Sequence, residues 1–146
     1  MKIAKLAIAI ILGATLVAGI ACGGKSESPT PTPTANEMNV DASYNSSEVE
    51  LAVGDHLIVT LASNPGSTGF SWNLSAISDA AVIQYVSDEY IAPEQTDPPM
   101  VGAPGQEVWY FSAKGPGTAT ISMKYIQPWM PDADPAETFE ITVIVE

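Results

Sequence analysis

From residue 48 onward, hydrophobic and polar side chains alternate with a period of two. Val49, Leu51 and Val53 are interleaved with Glu48, Glu50 and Ala52. Leu57, Val59 and Leu61 share one face of the next run, and Phe70, Trp72 and Leu74 share a face of the one after it. In 107–113, Val108 and Tyr110 oppose Trp109 and Phe111. The cleanest case is 118–126, where Ala119, Ile121, Met123 and Tyr125 alternate with Thr118, Thr120, Ser122 and Lys124. Phe139, Ile141, Val143 and Val145 make a last run, and 82–91 is a mixed one with Ile83 and Tyr85 on one side. Side chains of a strand point alternately to its two faces, so each run reads as a strand with one face on a core.

Turn residues punctuate the runs. Gly54-Asp55 and Gly115-Pro116-Gly117 mark tight turns, and 75–81 reads as a short connection. No ten-residue stretch carries a helical period. About seven short strands in residues 38–146 predict an all-β fold, an immunoglobulin-like antiparallel β-sandwich. The Cys–Trp–Cys spacing of true immunoglobulin domains is missing, so the pattern supports the architecture alone.

Three connections are long: 62–69, 92–106 and 127–138. The second holds four prolines and two glycines, and the third holds three prolines and Trp129. Long loops on a compact domain are commonly functional. In the first, Pro65 stiffens the chain, and Gly66 and Gly69 allow unusual backbone shapes. Only Ser67 and Thr68 lie between those glycines. The stretch from Asn64 to Phe70 is therefore expected to be a narrow wedge with little side chain at its tip. The plainer reading is that Asn-Pro-Gly merely turns the chain.

The first 37 residues lie outside this pattern. Lys2 and Lys5 precede an uncharged apolar run over 6–21, shorter than the roughly 20 residues of a spanning helix. Residues 1–21 are expected to be a signal peptide, and the run ends at Cys22, the only cysteine. The segment resembles a bacterial lipoprotein signal, which implies cleavage before Cys22 and lipid attachment to it. The alternative is a plain secretory signal that ends near a cysteine. Residues 22–37, rich in Ser, Pro and Thr, are expected to be a semi-rigid tether. The chain is then exported to the cell surface or periplasm and touches a membrane only through its lipid.

Charge narrows the partners. The chain carries 17 acidic and five basic residues, a net charge of −12. From residue 38 on there are 15 acidic residues, the 17 of the chain less Glu27 and Glu37, and only two basic ones, Lys114 and Lys124, about −13 in all. Such a domain repels nucleic acid and anionic membranes. Chemistry is sparse as well. His56 is the one histidine, at a strand start, where a solvated or hydrogen-bonded role is far commoner than a catalytic one. Without further His or Cys there is no zinc set. Asp132, Asp134 and Glu137 match no EF-hand spacing and read as a solvated loop. No catalytic residue, cofactor or metal is expected.

Taken together, the three loops are specific. Asn64-Pro65 followed by Thr68-Gly69-Phe70-Ser71-Trp72 resembles the Asn-Pro-x-Thr-Gly-[Phe/Tyr]-x-Trp motif of chagasin-type inhibitors of papain-family cysteine proteases. Gly102-Ala103-Pro104-Gly105 is similar to that family's Gly-x-x-Gly loop. Tyr125-Ile126-Gln127-Pro128-Trp129 is similar to its Tyr-x-Arg-Pro-Trp segment. Order and spacing agree over about 49–145. One extra residue lies between Pro65 and Thr68, and Gln127 stands where the family has arginine.

The resemblance implies a sandwich whose three loops dock side by side on a papain-like cysteine protease. Residues 64–69, with Phe70, would enter the cleft and block it reversibly. Gly102, Ala103, Pro104 and Gly105 would grip one flank, and Gln127, Pro128 and Trp129 the other. It implies a monomeric inhibitor, not an enzyme. The rival reading is a surface adhesion or ligand-binding module that uses the same loops, and a weaker one is a purely structural envelope protein.

Overall fold

The computed structural model describes residues 34–98 and 100–146. The expected signal peptide, Cys22 and most of the tether lie outside the described residues. The sandwich is present, built from eight strands in two sheets. The strands are β1 (Glu37–Asp41), β2 (Ser47–Leu51), β3 (His56–Ser63), β4 (Ser71–Ile77), β5 (Ile83–Ile91), β6 (Gly105–Ala113), β7 (Gly117–Ile126) and β8 (Glu137–Val145). One sheet has the order β1-β3-β6-β5 and the other β2-β8-β7-β4.

Alternation places most of the core as read, although Val53 falls beyond the end of β2 and Val53 and Tyr85 are both exposed. Leu57 pairs with Phe111 and Val59 with Trp109 on one inner face. Ile121 pairs with Ile141 and Met123 with Phe139 on the other. All eight are buried, as are Trp72 and Val145. Tyr125 and Leu74 are partly buried and pack against this core.

The details depart from the sequence reading in four places. An eighth strand, β1, begins at Glu37, where tether was expected, and buries Val40. Not every pairing is antiparallel: β1 runs parallel to β3, and β2 parallel to β8. A 3-10 turn at Ala42–Tyr44, capped by the Asp41 carboxylate, separates β1 from β2 and lets the chain change sheets. Residues 75–77 belong to β4 beyond a bulge, and Gly105 belongs to β6. Asp55 fixes the start of the domain by accepting from the backbone N–H of Asn36 and Ala52, and these bonds hold its carboxyl below the usual carboxylate range.

Registers locate the loops. Ser63 pairs with Gly105, and Ile91 with Gln106, so the β3–β4 and β5–β6 connections leave one end of the first sheet. Ser71 pairs with Ile126, and Tyr125 with Glu137, so the β7–β8 connection leaves the second sheet where β4 enters it. The β3–β4 connection passes from one sheet to the other and so joins these two ends.

Candidate functional site

The narrow first loop is built on a single turn of helix. Pro65–Thr68 form α1, with Pro65 at the first helical position and Gly69 just past the end at φ 72°. That arrangement suits both residues: proline lacks an N–H the helix leaves unpaired there, and glycine adopts the left-handed shape without strain. Asn64 is its hub. The Asn64 carbonyl accepts from Thr68 N (3.0 Å) and Thr68 Oγ1 (2.8 Å). Thr68 Oγ1 in turn accepts from Phe70 N (3.2 Å). The extra residue noted in the sequence lies inside this turn. Gly66, Ser67 and Thr68 are exposed at its tip.

Each of the other loops is bonded to α1. Asn64 Nδ2 donates to the Gly102 carbonyl (3.0 Å), where Gly102 turns the chain at φ 80°. Gln127 Nε2 donates to the Thr68 carbonyl (3.2 Å). The residue that replaces the family's arginine thus spends its amide within the molecule. The Trp129 indole lies on Gly69, where an added Cβ would sit 2.2 Å from Cη2, yet Trp129 stays 65% exposed. This excludes a core role for Trp129. Gly105 is likewise covered by an aromatic, because an added Cβ would sit 2.5 Å from the Tyr90 hydroxyl. Gly105 is buried and Ala103 half-buried, whereas Met100, Val101, Gly102 and Pro104 are exposed.

Two side chains outside the expected contact residues, Tyr125 of the third motif and Glu107, hold the edge from below. The Tyr125 hydroxyl accepts from Asn64 N (3.0 Å), and its ring stacks between Phe70 and Trp72 at 5.5 and 5.1 Å. Its carbonyl accepts from Ala136 N (2.9 Å), which closes the third loop. Glu107, only 6% exposed, faces inward opposite Leu61. Its carboxyl oxygens accept from Ser63 Oγ and from Trp72 N (3.1 and 3.2 Å). One carboxyl group therefore joins both stems of the first loop. Strand parity signalled it, since Glu107 falls in step with Trp109 and Phe111.

Tyr125→Phe tests the hydroxyl alone. The stack survives, the part-buried Asn64 N–H loses its partner, and stability is expected to fall by about 1 kcal/mol, read from the denaturation midpoint.

The edge has no acid–base apparatus. Residues 64–70, 92–104 and 127–136 contain no Lys, Arg, His or Cys, and their only charges are Glu94, Asp97, Asp132 and Asp134. His56 lies at the opposite end of β3, paired with Ser112. What the edge offers is shape: a small polar tip flanked by two tethered loops.

Comparison with known proteins gives the class. Residues 50–143 match the chagasin family peptidase inhibitor I42. The chain belongs to this family, whose members are inhibitors and not enzymes. It is 28% identical to chagasin of Trypanosoma cruzi over 105 residues, 70% of this chain and 92% of that protein. It is 26% identical to amoebiasin-1 of Entamoeba histolytica over 110 residues, 75% of this chain and 100% of that protein. The crystal structure of a cysteine protease inhibitor from Entamoeba histolytica has the same fold, with a TM-score of 0.67 at 23% identity, covering 78% of this chain and 99% of that one.

Proposed function

We propose that this protein is a reversible, competitive inhibitor of papain-like cysteine proteases that blocks the catalytic cleft with its three loops. The observation that carries the reading is the bonding of all three motif loops into one edge, through Asn64 to Gly102 and Gln127 to Thr68. The α1 tip enters the cleft. Its exposed residues are small, so backbone approaches the cleft floor. A proteolytic nucleophile needs an aligned peptide bond, and a helical turn closed on Asn64 withholds one, so the tip is held and not cut. Trp129 is the aromatic anchor on one flank, as Trp often is at binding hot spots. Cross-bonding fixes the loops beforehand, which lowers the ordering cost of binding.

The inhibitor acts as a monomer. The apolar leader, Cys22 and the Pro-Thr tether support an exported protein lipid-anchored at the cell surface or periplasm. The test is titration of papain with the purified protein at fixed substrate, with a serine protease as control. Selective competitive inhibition at nanomolar to low micromolar concentration is expected. Absence of inhibition across papain and its relatives overturns the reading and favours an adhesion module.

A further inference from the structure

Beside α1, the second loop presents an apolar tip that no motif accounts for. Val101 is 98% exposed and Met100 70%. Single exposed hydrophobics are ordinary, but these two are adjacent and the residue after them is tied to the start of α1. The next residue, Gly102, turns the chain and is bonded through its carbonyl to Asn64, at the start of α1. Trp129 lies against Gly69, at the other end of α1, and is followed by Met130, 50% exposed. The small polar turn is therefore bracketed by two apolar pairs, one from each sheet's loop. A partner that takes the turn into a narrow cleft meets both pairs at once.

Resting on the inhibitory reading above, we infer that Met100 and Val101 form a second anchor, seated in an apolar depression on the cleft wall opposite the one that meets Trp129. This anchor makes the inhibitor discriminate among papain-like proteases by the apolar character of that wall. A polar or charged wall loses its water to Val101 without gaining a hydrogen-bond partner, and so is disfavoured.

The test uses the full chain, papain as the probe, and two variants, Val101→Ser and the double variant Met100→Ser with Val101→Ser. Neither side chain packs in the fold, so thermal unfolding stays at the wild-type temperature. The inhibition constant of the double variant is expected to rise about tenfold, mostly through faster dissociation. An inhibition constant within twofold of wild type overturns the second anchor. Gly66→Arg separates the two ideas. If that variant loses inhibition while the Val101 variants keep it, the cleft-blocking reading stands and the anchor falls. Failure of the wild-type protein to inhibit papain overturns both.

Discussion

Gly66→Arg is expected to leave the melting temperature at or slightly above its wild-type value and to weaken inhibition of papain about a hundredfold. The two halves have separate causes. A Cβ at Gly66 meets no atom within 4 Å, and its φ lies outside the left-handed region. Arginine is also the better helix former, by about 0.5–1 kcal/mol. The fold thus has no use for glycine at this position. The other glycines of the motifs differ. Gly69 needs its positive φ and its bare Cα to seat Trp129, and Gly105 lies under Tyr90. On the proposed binding mode, a partner that leaves no room at this exposed position accounts for a glycine free of folding duty. If α1 enters the cleft as proposed, a large charged side chain at that point clashes with the cleft floor and is desolvated without a partner. About 3 kcal/mol of lost binding, a factor of about a hundred, is typical of a central contact. Thermal melts and inhibition titrations on the same preparation check both halves. Undiminished inhibition would remove the α1 tip from the cleft.

How far such an argument reaches from sequence alone differs from element to element. The β7 alternation is legible because each of its inward residues lands in the core or against it. The β1 strand escaped because it is short, follows a Pro-Thr run and carries one buried residue, Val40. Its parallel pairing escaped for a different reason: period-two alternation looks the same whichever way a strand runs. The α1 turn is marked by Pro65 and Gly69 at its two ends, a proper start and stop, but four residues are too few to display a helical period. The gathering of the loops is legible only as a resemblance. Spacing along the chain does not say which ends of two sheets meet, whereas the registers within each sheet, joined by the β3–β4 connection, do. Trp72 and Trp109 are buried, as the alternation implies, while Phe70 is half-buried against Tyr125. Asn64 and Gln127 read as contacts for a partner, yet both use their side-chain amides to hold the edge together.

Glu107→Ala is expected to cost about 3 kcal/mol of stability and to lower the melting temperature by about 10 °C. The carboxyl group sits among apolar neighbours, in line with Leu61, and no Lys or Arg lies in the loops above it. Alanine removes the acceptor for two donors, Ser63 Oγ–H and Trp72 N–H, which stay buried. Each buried donor left unpaired costs about 1–3 kcal/mol, and a domain of this size loses about 3–6 °C for each kcal/mol. Function should suffer beyond stability. Ser63 immediately precedes Asn64, and Trp72 follows Phe70 by two residues, so the carboxyl group bolts both stems of the first loop to β6. With the bolt gone, α1 samples other positions, and inhibition weakens about tenfold even well below the new melting temperature, since ordering is then paid on binding. Glu107→Gln keeps the shape and one acceptor oxygen, and should fall between wild type and alanine in both respects. Chemical denaturation gives the first quantity, and inhibition titration at a temperature where every variant is folded gives the second. A lowered melting temperature with unchanged inhibition would confine Glu107 to the core. An unchanged melting temperature would contradict the hydrogen-bond network itself.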